Sequence, residues 1–359
     1  MPAPRKRKPT LDSVAEAVGV SRATVSNAFN RPDQLSADLR EEVLRTARRL
    51  GYPGPNPVAR SLATSRTGAI AFMLDTPLRA AFSDPALSIT LDALSTEVDT
   101  EGYALLLIPG GDDGGPRAER VLAAQADLAV AYSLADGAPA LKAVKQRRLP
   151  LVVIDQPIVA GAAVVGINDR AGAAAAARHL LDLGHRRFGI LSAQCLSTPR
   201  GGPLSLADAR RSRFRDNRER MIGYLDTLEA AGLDPGAVPI WETSGLSRAE
   251  AQVSARAVLE TSPRPTAVLC MSDELAIATL AAAGDLGLRV PEDLSVLGFD
   301  DTAEAGWTTP ALTTVRQDLA GKGRAAGRMA LDLLAGRPVH QPITLETELI
   351  VRGSTGPVA

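Results

Sequence analysis

From residue 69 onward, short apolar runs alternate with amphipathic stretches, and this alternation restricts the fold more than any other feature of the chain. AIAFML, ALLLI, LAVAY and LVVID mark four strands in a first half, and VVGI, FGIL, VPIW, AVLC and LSVLGF form a second series. Between them lie helical patterns such as Leu87, Leu91, Leu94 and Val98, entered at Asp84-Pro85 and left at Gly102, with proline at the first helical position. Strands separated by helices predict parallel sheets covered on both faces. Roughly nine or ten strands at this spacing are too many for one compact sheet, so two doubly wound lobes are expected. Ligands in such folds sit at the carboxyl ends of the strands, and two facing lobes make a cleft.

The segment from Thr10 to Leu62 has a different grammar. Leu11, Val14, Ala15 and Val18 repeat at helical spacing behind Thr10, a candidate N-cap, and Gly19 stops the run. Ser21 is placed to cap a second helix in which Val25 and Phe29 pack inward, leaving Arg22, Ala23, Ser26, Asn27 and Asn30 on the other faces. A third helix runs from Ser36 through Leu39, Val43, Ala47 and Leu50 to Gly51. This is a helix-turn-helix pattern, whose second helix can enter a major groove while flanking hydroxyls meet phosphates. Any short helical hairpin satisfies half of the pattern; charge adds to it. Residues 1–66 hold 12 Lys/Arg against 6 Asp/Glu, whereas the rest of the chain holds 28 against 35, so a net charge of −1 hides a basic head on an acidic body. The run Arg5-Lys6-Arg7-Lys8 is expected to add salt-sensitive affinity for phosphates.

Other classes fit less well. No run of 18 apolar residues exists and the basic N-terminus lacks a following apolar segment, so a cytoplasmic protein without a membrane span is expected. Cys195 and Cys270, the only cysteines, lack metal-ligand spacing and are read as reduced thiols; no metal or cofactor is expected. An enzyme is disfavoured because Asp300 and Asp301, as neighbours on an extended segment, point to opposite faces. His179, His185 and His340 form no metal pattern, and His185 after Gly184 reads as a helix-end residue. There is also no phosphate loop and no nucleophile elbow.

The chain resembles the lactose-repressor/galactose-repressor (LacI/GalR) family of transcriptional regulators along nearly its whole length. The resemblance rests on VAEAVGVSRATVSNAFN, LSADLREEVLRTARRLGY, the hinge-like NPVARSLAT, HLLDLGHRRFGIL, PTAVLCMSDELA, LSVLGFDDT and PALTTVRQD, in the family's order. It implies an all-α helix-turn-helix head joined to an α/β two-lobed core like periplasmic sugar-binding proteins, with doubly wound parallel sheets. The boundaries expected are 1–52 for the head, 53–66 for linker and hinge helix, and 67–359 for the core. Within the core, 67–163 plus 299–320 are assigned to the N-terminal lobe and 164–298 plus 321–359 to the C-terminal lobe. The implied partners are pseudo-palindromic double-stranded operator DNA, a second copy of the chain in a homodimer, and a small-molecule effector, a sugar or alternatively a purine-like metabolite. The absence of a heptad tail argues against tetramers. A transporter's solute-binding protein shares such a core but not the DNA head.

Carried over residue by residue, the resemblance makes Arg22, Ala23 and Asn27 base readers, and Thr10, Ser21, Thr24 and Ser36 phosphate-binding hydroxyls; Asn30 matches a polar family position. Ala59 and Leu62 fall in the hinge, where Leu62 matches the leucine that wedges into the minor groove. Arg22 suits a bidentate contact to guanine and Asn27 one to adenine. Two departures stand out: Asn27 replaces the arginine of many relatives, and the linker PGPNP is one residue longer and richer in proline. For the effector, Asp155, Asp169, Arg220, Ser272, Asp273 and Asp300 match strand ends or helix starts, with Asp75 as a further polar contact and Phe82 as a stacking face. Carboxylates and one guanidinium suit a polyhydroxylated ligand. Residues 194–219 form an unusually long connection, read either as a mobile lid or as a disordered insertion.

Overall fold

The computed structural model describes residues 9–55, 66–111, 115–196, 201–243, 247–339 and 341–358. The chain divides into two compact units, Met1–Thr67 and Gly68–Ala359. In the first, α1 (Leu11–Val18), α2 (Arg22–Asn30) and α3 (Ala37–Leu50) begin at Thr10, Ser21 and Ser36, whose hydroxyls accept backbone N–H groups of the first turn. Gly19 and Gly51 end α1 and α3 in the left-handed conformation. Val14, Val25, Ala28 and Val43 are fully buried between the helices, and the Phe29 and Tyr52 rings meet edge to face at 5.9 Å. The hinge positions Ala59 and Leu62 lie outside the described residues.

The second unit contains two sheets. The chain forms β1 (Ala69–Leu74), α4 (Leu78–Ala81), α5 (Pro85–Asp99), β2 (Ala104–Ile108), α6 (Ala118–Ala123), β3 (Leu128–Tyr132), α7 (Pro139–Arg147), β4 (Leu151–Ile154) and β5 (Ala163–Ile167). It continues through α8 (Asp169–Asp182), β6 (Phe188–Ser192), β7 (Gly202–Pro203), α9 (Leu206–Arg210), α10 (Arg215–Ala230), β8 (Ile240–Glu242) and α11 (Arg248–Leu259). The last elements are β9 (Ala267–Cys270), α12 (Asp273–Asp285), β10 (Ser295–Asp300), β11 (Thr313–Gln317), α13 (Leu319–Leu334), β12 (Ile343–Leu345) and β13 (Thr347–Ile350). The first sheet has the order β12-β5-β4-β3-β1-β2 and is parallel throughout. The second has the order β13-β11-β10-β9-β6-β8-β7, with antiparallel pairing only at its two edges. In each sheet the strand order reverses once, between β1 and β3 and between β6 and β9, and a crevice opens at such a point.

The chain passes between the lobes around Asn168, Asp318 and Glu346, and two of these crossings are capped. Asn168 accepts from the Ala171 amide at 3.1 Å to start α8, and Asp318 from the Gly321 amide at 2.7 Å to start α13. This corrects the lobe boundaries read from sequence. Strands β10 and β11 belong to the C-terminal sheet and β5 to the N-terminal one, while α13 returns to pack on α5. The return depends on two glycines: a Cβ at Gly323 would lie 2.2 Å from the Thr90 carbonyl oxygen, and one at Gly327 2.6 Å from Glu97 Cβ. The 194–219 connection is also corrected over its described part. It carries β7 and α9 and buries Leu204, Ala209 and Phe214, so neither disorder nor a free lid describes it.

Candidate DNA-reading surface and effector cavity

On α2 the residues at the N-terminal end are outward. Arg22 and Ala23 are exposed and Asn27 half-buried, while Val25 and Ala28 hold the helix to the head's core. The Arg22 guanidinium lies 2.8 Å from Asp12, with both side chains largely in solvent, so the pair is weak and easily exchanged for a base edge. Asn27 Nδ2 donates to Gln34 Oε1 at 3.2 Å, which orients its amide. A capping hydroxyl spends a lone pair and keeps its proton, so Thr10, Ser21 and Ser36 can cap helices and still donate to phosphate. Ser21 Oγ and Thr24 Oγ1 are 2.8 Å apart, so one donates to the other and one proton stays available. Ser26 is half-buried on the same helix, and Asn30 is its last residue.

In the core a cavity of about 270 Å³ opens between the lobes. Its wall is built from residues at the carboxyl ends of the strands: Asp75 after β1, Ser133 after β3, Asp155 after β4, Gln194 after β6, Ser272 after β9, and Asp300 and Gln317 ending β10 and β11. Ser133, Asp155 and Asp300 adopt positive φ of 47°, 63° and 122°. Such backbone costs about 1–3 kcal/mol per residue and persists where surrounding structure enforces it, often at ligand sites.

Two buried charge systems face each other across this space. On the C-terminal lobe, Arg220 of α10 donates from Nε to Asp169 at 2.8 Å and from Nη1 to the Met271 carbonyl at 2.6 Å, and it lies 3.8 Å over the Phe299 ring. Asp300 is 3.8 Å from the same guanidinium and accepts from Gln317 Nε2. Burial opposes Arg220's charge, but the carboxylates of Asp169, Asp300 and Asp216 outweigh it and hold the guanidinium more firmly protonated. On the N-terminal lobe, Lys322 of α13, only 1% exposed, donates to both carboxylate oxygens of Asp155 at 2.9 and 2.7 Å. Burial raises Asp75 and Asp216 to about 6, against backbone N–H groups at Asp75 and chiefly against the Arg220 charge at Asp216.

The 194–219 segment joins the lobes. The Asp136 amide donates to the Arg213 carbonyl at 2.8 Å, Arg218 pairs with the Asp136 carboxylate at 3.1 Å, and the Asp216 amide donates to Gln156 Oε1 at 2.9 Å. Phe214, Asp216 and Asn217 thereby become part of the cavity wall.

Residues 10–56 match the family model described as bacterial regulatory proteins, lacI family, and residues 177–355 match a periplasmic binding protein-like domain. An HTH-type transcriptional regulator of Mycobacterium tuberculosis is 42% identical over 368 residues, covering 100% of this chain and 99% of that protein. The chain belongs to the LacI family of bacterial transcriptional regulators. Its fold is also similar to that of a chain in the crystal structure of the lac repressor dimer bound to operator and the anti-inducer ONPF (TM-score 0.77, 25% identity, 98% of this chain and 100% of that one). A transcriptional regulator CelR-cellobiose complex is similar as well (TM-score 0.69, 26% identity, 96% and 99%).

For a LacI-family core, the cavity contains only part of the residue set read from sequence. Asp75, Asp155, Arg220, Ser272 and Asp300 line it. Asp169 does not; it stands behind Arg220 and positions it. Asp273 is fully buried and accepts from the Thr302 amide at 2.7 Å and the Thr314 hydroxyl at 2.5 Å, so it ties α12 to β11 and does not face the cavity. Phe82 is 69% exposed and outside the wall, so it offers no stacking face there. His185 sits in the turn that ends α8, its amide donating to the Leu180 carbonyl at 3.2 Å, and its buried ring nitrogens lie 3.0 Å from Thr266, Ser295 and the Gly356 carbonyl. Sequence reasoning missed Lys322, Asp84, Gln156, Asp216 and Gln317. Lys322 left a visible trace, a lysine on the stripe Leu319, Ala326, Met329 and Ala330 that the helix buries.

Proposed function

We propose that the chain is a ligand-controlled repressor of carbohydrate-utilisation genes. A homodimer reads a pseudo-palindromic operator, and a sugar held between the lobes sets its affinity. The observation that carries the effector part is the cavity itself: it joins the carboxyl ends of both sheets, and among the charged groups of its described wall carboxylates outnumber cations. A ring of hydroxyls donates to carboxylates such as Asp155 and Asp300, and Arg220 and Lys322 supply N–H donors from both sides. The volume of about 270 Å³ suits a small ligand. A flat purine fits less well, because among the described residues only Tyr132 and Phe214 bring aromatic rings to the wall and Tyr132 is already stacked on Phe72 at 5.9 Å.

Arg22, Ala23 and Asn27 would choose the operator sequence, with the hydroxyls of Thr10, Ser21, Thr24 and Ser36 fixing α2 on the phosphates. The hinge residues Ala59 and Leu62 would enter the minor groove at the operator centre. A ligand that bridges the lobes favours one of their arrangements, and DNA favours one arrangement of the paired heads. Linkage then makes the two affinities reciprocal. Operator binding titrated with and without sugar should differ by roughly 5- to 150-fold, with the same factor in sugar affinity with and without operator. Equal sugar affinity for free and operator-bound protein would remove the allosteric part of the reading.

A further inference from the structure

The balance of donors and acceptors in the cavity says more about its ligand than the fold does. We infer that the effector carries no negative charge and meets the cavity as a multiple hydrogen-bond donor, so that phosphorylated and carboxylated sugars are excluded. The inference rests on the proposal that this cavity is the effector site.

Among the described residues three cations reach the wall, and each already pairs with a carboxylate. Arg220 is held by Asp169 and the Met271 carbonyl, Lys322 by both oxygens of Asp155, and Arg248 by Glu274 at 3.2 Å. Against them the wall carries further carboxylates. Asp84 accepts the Ala86 and Leu87 amides as the cap of α5, and Asp216 accepts the Asn217 amide at 2.7 Å. Neither has a cationic hydrogen-bond partner among the described residues. A phosphate placed here would face this excess at low dielectric and would have to share Arg220 or Lys322 with the carboxylates that already neutralise them.

An independent observation points the same way. Gln317 is buried, its Nε2 donates to Asp300, and its Oε1 is the one buried side-chain atom without a hydrogen-bond partner among the described residues. Gln317 stands in the cavity wall, so a turn of its amide brings this unpartnered acceptor to a ligand donor, and a hydroxyl supplies one. An anionic oxygen cannot, because it only accepts. The unpartnered amide oxygen and the surplus carboxylates therefore select for donors.

The test uses the full-length protein and matched compounds: neutral pentoses, hexoses, hexitols, cyclitols and disaccharides, each beside its phosphate ester and its sugar acid. Binding is read by calorimetry and by the change in operator affinity. At least one neutral compound should bind and shift operator affinity, and its phosphate ester should bind at least about a hundredfold more weakly. Gln317→Met, which keeps length and removes the acceptor, should weaken the neutral ligand roughly tenfold or more. A phosphate ester or acid that binds as well as its neutral partner and shifts operator affinity leaves the effector-site proposal standing and overturns this inference. Unchanged affinity in Gln317→Met overturns the role given to the amide oxygen. If neither set binds or alters operator affinity, the effector-site proposal falls and takes the inference with it.

Discussion

The head and the core hold their functional groups in opposite ways. In the head, Arg22 is in solvent with one exposed ion-pair partner, and Asn27 leans on a single side chain, Gln34. In the core, Arg220, Asp169, Lys322 and Asp300 are buried and lie within 4 Å of opposite charge. An exposed group answers to its ligand alone. A buried charge answers first to the protein that neutralises it, because removing one partner strands the other in a poorly solvating interior. Folding and recognition are therefore separable on α2 and coupled at the cavity.

The sharpest way to break this contrast is to strand a core charge. Asp169→Ala leaves Arg220 with the Met271 carbonyl and a distant Asp300, and should destabilise the core by about 3–5 kcal/mol. Urea denaturation of the full chain measures it. A loss under about 1 kcal/mol would mean that water or Asp300 neutralises Arg220 and that the coupling is weak.

The same contrast explains what the sequence disclosed. The head was legible almost completely, because its helices are closed by local signals, Thr10, Ser21, Ser36, Gly19 and Gly51, each visible within a few residues. The nine apolar strand runs were legible for the same reason. Strand β11 was not: Thr313 and Thr314 are polar yet fully buried, and their side chains are satisfied by Thr355 and Asp273, residues at least 41 positions away. The run ITLETELIV has the pattern of a single strand, but it breaks at Glu346 into β12 of one sheet and β13 of the other, a choice set by the neighbours β5 and β11. At the cavity, position in a strand-end motif could not separate Asp273, which turns inward to Thr302 and Thr314, from Asp300, which reaches the wall.

A second, smaller effect should appear with pH. Asp75 and Asp216 titrate at about 6 in the folded core, above the usual carboxylate value, because burial disfavours their charge. The folded state therefore binds more protons than the unfolded state between about pH 4 and 6, and their contribution to stability is lost as pH rises through about 6. Buried His185, whose pKa is lowered by burial, pulls the other way below about pH 6.5, so the pair must be isolated by difference. Asp75→Asn/Asp216→Asn should remove on the order of 1–3 kcal/mol of the stability gained from pH 7 to pH 5. An identical pH profile in variant and parent would show that these carboxylates titrate normally.

In the head the effects shrink to those of single local contacts. Ser21→Ala removes the hydroxyl that accepts from the Thr24 amide at 3.0 Å and should cost about 1 kcal/mol. It should also weaken operator binding evenly across sequences, because a phosphate contact carries no base preference. A cost under about 0.3 kcal/mol in urea denaturation would mean that water replaces the cap.

Arg22→Ala lies at the end of this scale. Its ion pair with Asp12 is exposed at both ends, so the change in folding stability should stay within about 0.5 kcal/mol. Yet the same substitution removes the longest donor on the outward end of α2, and a bidentate contact to guanine is worth roughly 1–3 kcal/mol of base discrimination. Selecting operators from a randomised DNA pool with parent and variant separates the two outcomes. Relaxed preference at one base pair in each half-site makes Arg22 a reader, whereas uniformly weaker binding with an unchanged preference makes it a phosphate contact. Either result with intact stability keeps the head's recognition independent of its fold, and a large loss of stability would erase the distinction from the core.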